Sequence, residues 1–348
     1  MRKMFTQVAV LGLSFGLFLA DGGPNHQVRN MHFGVSGGNV NDASRAFCCA
    51  GTLGSLVSAG GTQYVLSNNH VLARQDQAAV GEDISQPGTI DNGCQIPPIV
   101  ADFTKAVTLG NNVDVAVAAL RSGQMDSTGF IEDIGTISSV VKAPSVGLAV
   151  AKSGRTTGFT TGSIGSINTN VSVQYQKGCG SGKKTTISYT NQVVINSTTF
   201  SAGGDSGSLI VSNNTCHQPV ALLFAGSSSQ TIGNPIAEVL SKMSGSLGSS
   251  ISFVGGSCSA LTTGIESAPI APTQNDIDFA TMIKDRHVPD LMARPEVIGV
   301  GVGVRDEDPS QAAIVLYIDS TRPTHPRVPD TIDGVAVKVV ATDPFVAY

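Results

Sequence analysis

The segment Ser201-Ala202-Gly203-Gly204-Asp205-Ser206-Gly207-Ser208-Leu209-Ile210 places a serine among glycines, directly before an apolar strand. A serine hydroxyl attacks a carbonyl carbon efficiently only when a base removes its proton and hydrogen-bond donors stabilise the resulting oxyanion. Glycines on both sides allow the backbone to bend sharply, so that its N–H groups can point toward the reacting carbonyl. The segment therefore predicts a nucleophile, provided that the chain also supplies a histidine and a carboxylate.

Both partners lie upstream in apolar surroundings. His70 follows an apolar strand that ends in a polar turn, and a second apolar step begins directly after it. Asp114 lies inside the run Val113-Asp114-Val115-Ala116-Val117, where an unpaired carboxylate would be costly to bury. A histidine N–H is a suitable partner for such a carboxylate. Asp91 and Asp102 are the alternative carboxylates, although neither is embedded in an apolar strand.

Three motifs together carry a family resemblance: Ser67-Asn68-Asn69-His70-Val71-Leu72, Val113-Asp114-Val115-Ala116 and Gly204-Asp205-Ser206-Gly207-Ser208. In this order they resemble the chymotrypsin-type (trypsin-like) serine peptidases, bacterial branch, over residues 46–258. A fourth motif, at residues 153–162, is similar to the strand that opens the second barrel in bacterial members. Gly51-Thr52-Leu53-Gly54 and the extra C-terminal segment resemble the narrow-leaf type of trypsin-like protein, which has a small C-terminal domain.

The resemblance implies an exported serine endopeptidase that works through an acyl-enzyme intermediate. Ser206 would be the nucleophile, His70 the general base and acid, and Asp114 the group that orients His70. The backbone N–H groups of Gly204 and Ser206 would form the oxyanion hole. An ion pair to the acid before the nucleophile supports the oxyanion loop in this family, and the resemblance implies that Arg155 pairs with Asp205.

The resemblance also assigns a substrate pocket. Phe200 and Ser201 would lie at its floor, and Ala225, Gly226 and Ser227 would lie on its wall strand. No acidic residue is at the floor, which argues against a preference for arginine or lysine before the cut and favours an apolar or small residue. An alternative is that Phe200 itself fills the pocket and narrows it.

The composition agrees with a mainly β chain, because 40 of the 348 residues are glycine and only 14% are charged. The resemblance implies two six-stranded antiparallel β-barrels (chymotrypsin-like), followed by a small α+β C-terminal domain. The expected division is a signal peptide at 1–20, an N-terminal extension at 21–45, the peptidase domain at 46–258, a linker at 259–275 and the α+β domain at 276–348.

The C-terminal domain is predicted from its own patterns. Residues 276–293 have a weak helical spacing of apolar residues, interrupted by Pro289, and residues 297–304, 312–318 and 335–340 are strand candidates. A helix and three strands make a small α+β unit. Its role stays open between substrate docking, self-association and a lid over the cleft.

The N-terminus and the cysteines indicate export. Met1-Arg2-Lys3 is followed by an apolar run at residues 8–20, which is typical of a signal peptide and short for a membrane span. Six cysteines accord with an oxidising destination, secreted or periplasmic. Their connectivity cannot be deduced. We expect one of the adjacent Cys48 and Cys49 to pair with Cys94.

Charge and motifs limit the partners. The net charge of −5 provides no basic surface for nucleic acid or anionic lipid. No cofactor and no metal are expected, since no Cys-x-x-Cys or His-x-x-x-His spacing occurs. The expected partner is a protein or peptide substrate, with self-association through the C-terminal domain left open. The rival functions are a catalytically inactive peptidase homologue that binds proteins, and an esterase that uses the same triad.

Overall fold

The computed structural model describes residues 26–44, 47–258, 271–323 and 328–348. The expected signal peptide at 1–20 and the linker segment 259–270 lie outside these residues. The expected domain boundaries therefore remain predictions.

Short strands dominate the described residues. Up to residue 136 the strands are β1 (Val35–Asn39), β2 (Gly51–Leu53), β3 (Ser55–Ala59), β4 (Thr62–Ser67), β5 (Asp83–Ser85), β6 (Ile99–Ala106), β7 (Ala116–Leu120), β8 (Phe130–Ile131) and β9 (Gly135–Thr136). The middle strands are β10 (Ala149–Gly154), β11 (Gly158–Gln176), β12 (Lys184–Asn196), β13 (Leu209–Ser212), β14 (Pro219–Gly226), β15 (Gln230–Pro235) and β16 (Ile251–Phe253). The last strands are β17 (Val297–Val304), β18 (Ala312–Asp319), β19 (Thr331–Ile332), β20 (Val335–Thr342) and β21 (Phe345–Ala347). The helices are α1 (Asn69–Leu72), α2 (Ile236–Leu247), α3 (Gln274–Met292) and a 3-10 turn (Thr89–Asn92).

The first sheet is a curled antiparallel sheet in the order β16-β3-β4-β7-β6-β5-β1-β2. It has eight strands instead of the expected six. One reason is that Gly54 interrupts the extended segment and divides it into β2 and β3, and another is that β16 pairs with β3 at the edge of the sheet. A Cβ on Gly54 would lie 1.9 Å from the main-chain oxygen of Gly207. Only glycine therefore allows this sheet to approach the loop that carries Ser206.

The second sheet contains a closed six-stranded antiparallel barrel, as expected. The order β10-β13-β14-β15-β12-β11 returns to β10 through the pairing of β10 with β11. Its apolar core includes Ile164, Ile195, Ile210 and Leu223, none of which is more than 1% exposed. The mainly β class is confirmed.

The C-terminal helix and strands form where the sequence predicts them, although α3 continues through Pro289 to Met292. Their sheet is continuous with the second barrel, because β17 pairs with β11. The alternation of glycine and valine in β17 allows this strand to pair with β11 while it contributes to the core of the C-terminal unit. Val300 and Val302 are fully buried in the apolar core of this unit, whereas a Cβ on Gly301 would lie 2.4 Å from Thr169 Oγ1. The glycine face of β17 thus packs closely on β11.

Three disulfide bonds join the six cysteines. The expectation that Cys48 or Cys49 pairs with Cys94 is confirmed by the first of these bonds. The pairs are Cys48–Cys94, Cys49–Cys179 and Cys216–Cys258. Among the described residues, no helix has both the length and the apolar character that a membrane span requires.

Candidate active site

Two neighbouring strands of the first sheet bring the predicted histidine and aspartate together. Ser67, at the end of β4, is the partner of Ala116, at the start of β7. His70 follows three residues after Ser67 on α1, and Asp114 precedes Ala116 by two residues. Because both residues lie within three positions of this Ser67–Ala116 pair, the side chains of His70 and Asp114 come into contact.

The His70–Asp114 pair is closely hydrogen-bonded. His70 Nδ1 and Asp114 Oδ2 are 2.6 Å apart, and the His70 main-chain N–H donates to Asp114 Oδ1 at 3.2 Å. Asp114 has no exposed surface, and His70 is 8% exposed. A carboxylate can only accept hydrogen bonds, so Nδ1 carries the proton and Nε2 faces the cleft.

Further groups hold Asp114 in place, and sequence reasoning missed them. Tyr175 Oη donates to Asp114 Oδ2 at 2.8 Å and lies 2.7 Å from Tyr189 Oη. Asn68 Nδ2 donates to the Asp114 carbonyl, and the Asp114 N–H donates to Asn234 Oδ1. The signal for Tyr175 was available: it continues the row of inward-facing residues begun by the valines of β11, but it carries a hydroxyl that needs a partner.

The electrostatics of the pair favour a protonated imidazole. Burial alone lowers the pKa of His70, but the Asp114 carboxylate, helped by the Tyr348 main-chain oxygen and by Asp42, raises it above its usual value. Burial also raises the pKa of Tyr175 well above its usual value, and the Asp114 charge adds to this, so its hydroxyl remains a donor. Burial raises the pKa of Asp42 to about 6.

Ser206 lies in the turn before β13, and its hydroxyl is turned away from the histidine. Its Oγ donates to the main-chain oxygen of Phe224 at 3.1 Å. His70 Nε2 instead lies 2.9 Å from the main-chain oxygen of Tyr348. The structure thus brings His70 and Asp114 together, but within the described part of the chain no hydrogen bond joins His70 to Ser206 in this state.

The turn around Ser206 presents main-chain donors. Gly204 has a φ of +98°, and a Cβ there would lie 2.5 Å from both Arg155 Nη1 and Thr156 Oγ1. Glycine is therefore required at this position for two reasons, conformation and space. No acceptor in the described ranges takes the N–H of Gly204 or of Ser206.

The expected ion pair between Arg155 and Asp205 is wrong. Arg155 forms a two-pronged ion pair with Asp91, at 2.6 Å for both Nε–Oδ2 and Nη2–Oδ1. Asp205 lies instead 3.6 Å from the buried ammonium of Lys152 and accepts the N–H of Thr156 at 2.8 Å. The fully buried Asp205 already has these partners on β10 and the turn that follows it.

Both cations still lie next to residues 203–206, hereafter the oxyanion turn after its predicted role. Arg155 Nη1 donates to Thr156 Oγ1 at 3.1 Å, and that hydroxyl donates to the Gly203 carbonyl at 2.6 Å. Lys152 Nζ also donates to the Gly158 carbonyl at 2.8 Å. Burial lowers the pKa of Lys152, and the Asp205 charge opposes this.

The predicted pocket residues surround one side chain, that of Tyr348. A Cβ on Gly226 would lie 2.2 Å from Tyr348 Oη, which donates to the Ser227 carbonyl at 2.9 Å. Ser201 Oγ lies 2.5 Å from Thr231 Oγ1. Phe200 is fully buried in the apolar cluster against which Tyr348 packs. The assignment of these residues to a substrate pocket, and the alternative that Phe200 narrows it, stay predictions.

Ala225, the remaining predicted pocket residue, is fully buried, and its contribution is its main chain, which pairs with Ala347. An open cleft of about 480 Å³ continues from the pocket past the His70 imidazole. Its lining combines the turn before β13 with the disulfide that joins the segment before β2 to the β11–β12 connection: Gly203, Gly204, Cys49 and Cys179.

The comparisons with known proteins give structural neighbours alone. No family model and no curated protein matches the chain. A serine protease described as specific for glutamic acid is 21% identical, with a TM-score of 0.45, over 64% of this chain and 98% of that one. Protease A of Thermobifida fusca is 18% identical with a TM-score of 0.43, over 65% and 99% of the two chains. A chymotrypsin of Cellulomonas bogoriensis is 18% identical with a TM-score of 0.42, over the same shares. These three solved structures, to which the chain is similar in fold, are serine proteases.

Proposed function

We propose that this protein is an exported serine endopeptidase that cleaves peptide bonds through an acyl-enzyme intermediate. One observation carries the proposal. A fully buried aspartate holds Nδ1 of a histidine whose Nε2 faces a main-chain carbonyl oxygen in the cleft beside Ser206. An aspartate on Nδ1 is the part of a general-base arrangement that orients the imidazole, and the contact of Nε2 with a main-chain oxygen indicates that this nitrogen faces the place where a peptide would lie.

In the proposed reaction, Ser206 Oγ forms a bond to the scissile carbonyl carbon while His70 Nε2 takes the hydroxyl proton. The C–N bond then breaks, and His70 returns that proton to the leaving amine. Water repeats the sequence on the acyl-enzyme, with His70 again as base, and releases the carboxylic acid. Asp114 keeps Nδ1 protonated throughout and stabilises the transient imidazolium.

The N–H groups of Gly204 and Ser206 are proposed to hold the oxyanion. Loss of one such donor typically costs about 100- to 1,000-fold in rate. Lys152 and Arg155 support this turn from behind, Lys152 through Asp205 and Arg155 through Thr156. We propose that Asp205 and Arg155 support the turn through these separate partners and not through the expected ion pair.

Catalysis requires one local rearrangement. Ser206 must rotate its hydroxyl from the Phe224 carbonyl to His70 Nε2, and this becomes possible when the Tyr348 oxygen leaves that nitrogen. A rotation about a single side-chain bond is fast compared with turnover. The observed state is therefore an occupied form of the proposed site.

Export remains part of the proposal. Three disulfides accord with an oxidising compartment, and the N-terminal residues have the pattern of a signal peptide. N-terminal sequencing of the protein recovered outside the cytoplasm tests this. An intact Met1 would contradict cleavage of the signal.

Covalent labelling tests the function. We expect a biotinylated fluorophosphonate to label the wild-type protein, and both Ser206→Ala and His70→Ala to abolish labelling. Ser208→Ala is the matched control, because Ser208 lies in the same turn but donates to the Asp205 carbonyl on the far side. Absence of label on both the wild type and a variant that lacks residues 346–348, which line the cleft, would support the inactive homologue.

The esterase alternative requires a separate measurement. Unfolded casein incubated with the protein should yield new N-termini, and the products should disappear in Ser206→Ala. Hydrolysis of p-nitrophenyl acetate without cleavage of casein would favour an esterase. Mass spectrometry of the casein fragments also reports the residue before each cut.

A further inference from the structure

Residues 346–348 line the protein's own cleft. We propose that residues 345–348, hereafter the C-terminal strap, occupy the substrate site as a bound peptide would, so that they block it and reveal what it recognises: an extended chain with tyrosine before the cut. The inference rests on the proposed function. Of the three roles left open for the C-terminal domain, covering the cleft is the one that this proposal favours, because the domain supplies the strap.

The main chain of the strap extends the second barrel. Its strand β21 pairs antiparallel with β14, with Ala225 opposite Ala347 and Gly226 opposite Val346. On its other side it pairs with β11, where Val173 is opposite Phe345. Proteins commonly bind extended peptides by adding them as a strand to an exposed edge. The strap therefore uses the cleft in a peptide-binding mode that depends on main-chain atoms.

The catalytic atoms contact Tyr348 as they would contact the residue before a scissile bond. Its N–H donates to the Phe224 carbonyl at 3.4 Å, and its main-chain oxygen lies 2.9 Å from His70 Nε2. The Phe224 carbonyl also accepts Ser206 Oγ at 3.1 Å. The main chain of Tyr348 thus contacts the proposed general base through its oxygen and shares the Phe224 carbonyl with Ser206 through its N–H.

The pocket accommodates a tyrosine side chain, including its hydroxyl. Gly226 leaves the space that the ring occupies, and the Ser227 carbonyl accepts the hydroxyl proton at 2.9 Å. Burial raises the pKa of Tyr348 to about 12, so the hydroxyl stays protonated and can donate. A pocket with such an acceptor favours tyrosine over phenylalanine, because phenylalanine would leave the acceptor without a partner.

The C-terminal domain holds the strap in position. Phe345 is fully buried and contacts the Tyr317 ring edge-on, with 5.7 Å between ring centroids. Thr342, at the end of β20, lies 2.6 Å from Ser227 through their hydroxyls. An anchored ligand has a high effective concentration, so even a weak peptide can fill a site to which it is tethered. The strap therefore competes with any substrate that arrives from solution.

The first test removes the strap but keeps its anchor. Deletion of residues 346–348 leaves Phe345 in the core, and Tyr348→Ala empties only the pocket. We expect the second-order rate of fluorophosphonate labelling to rise about tenfold or more in the deletion variant, and by a smaller factor in Tyr348→Ala. Met282→Ala is the control, since Met282 is 50% exposed and lies on α3, far along the chain from the strap; it should label at the wild-type rate. Melting curves confirm that each variant is folded.

The second test measures recognition without catalysis. A fluorescein-labelled synthetic peptide Asp-Pro-Phe-Val-Ala-Tyr is titrated into the deletion variant that also carries Ser206→Ala. We expect saturable binding, at least tenfold weaker for the peptide that ends in alanine and several-fold weaker for the one that ends in phenylalanine.

The outcomes separate the two proposals. Peptide binding without labelling of any variant would support the strap and contradict the peptidase. Equal labelling rates for the wild-type and both strap variants, with no binding of the peptide, would overturn the strap while leaving the peptidase intact. In cleavage assays, casein fragments that never end in tyrosine would contradict the proposed preference.

Discussion

Two fully buried aspartates lie on opposite sides of this cleft, and they are stabilised in different ways. Asp114, from the first sheet, accepts hydrogen bonds from an imidazole, a phenol and a main-chain N–H. Asp205, from the second barrel, lies near a buried lysine and accepts main-chain N–H groups. The partner of Asp114 is an imidazole that lines the cleft, whereas the nearest cation to Asp205 is a fully buried ammonium. The first arrangement suits a charge that changes during a reaction, and the second suits a loop that must not move.

The largest expected effect comes from removing the charge of Asp114. Asp114→Asn would present an amide to His70 Nδ1 and favour the wrong tautomer, so we expect a loss of roughly 10⁴-fold in kcat. The fluorophosphonate labelling rate and kcat on a peptide substrate measure this, both in the full chain and without residues 346–348. Asp102→Asn is the control, because Asp102 is 40% exposed and pairs with Arg121. A loss below tenfold in Asp114→Asn would remove Asp114 from the proposed triad.

Removing the Lys152 ammonium from Asp205 should mainly lower the free energy of unfolding. Lys152→Met leaves Asp205 as a buried charge without its cation, and such a loss typically destabilises a protein by about 3–5 kcal/mol. Urea denaturation measures the free energy of unfolding, with Lys105→Met on the exposed side of β6 as the control. Because the oxyanion turn contacts Asp205, we also expect kcat to fall. An unchanged midpoint would show that the main-chain N–H groups suffice to hold Asp205.

A smaller effect is expected from Tyr175→Phe, which removes one donor to Asp114. Hydrogen bonds to charged groups contribute about 1.5–3 kcal/mol, so we expect roughly a tenfold or larger fall in kcat with the fold retained. The carboxylate would then interact more strongly with the imidazolium, and the acid limb of the pH–rate profile should move to higher pH. Tyr64→Phe is the matched control, since the Tyr64 hydroxyl has no hydrogen bond to any described residue. A profile identical to wild type would assign Tyr175 a packing role alone.

The smallest effect concerns the pH profile of the strap variants. The Tyr348 oxygen helps to raise the pKa of His70, and catalysis needs the neutral imidazole. Without residues 346–348 the loss of this contact lowers the pKa of His70, whereas exposure of the ring to water raises it. The pH dependence of the labelling rate between pH 4 and 9 measures the balance in both proteins. Labelling that persists to lower pH in the deletion variant assigns the larger effect to the contact, and labelling lost at higher pH assigns it to burial.

Much of this site could be predicted from short motifs. His70, Asp114 and Ser206 each lie at the junction of an apolar strand and a polar or glycine-rich turn, and such junctions can be recognised from neighbouring residues alone. The helix and three strands after the linker were also predicted, because each is long enough to show its period.

Other features depend on the way in which distant segments meet. Arg155 and Lys152 lie three residues apart, and only the direction of each side chain decided which of them meets Asp205. The strap is four residues long and shows no period, so its place between β11 and β14 could not be inferred from its sequence. Tyr175 serves Asp114 across the boundary between the two sheets, where no sequence pattern connects them.

The unbroken sheet from β11 into β17 limits how the cleft can open. A hinge motion of the C-terminal helix and strands would break the β11–β17 strand pairing, in which Ile167 is opposite Val302 and Val171 is opposite Gly299. Peeling back three residues from Val346 onward costs far fewer hydrogen bonds and leaves the buried Phe345 ring in place. In the proposed peptidase, a polypeptide would therefore enter by displacing residues 346–348 alone, without separation of the two sheets.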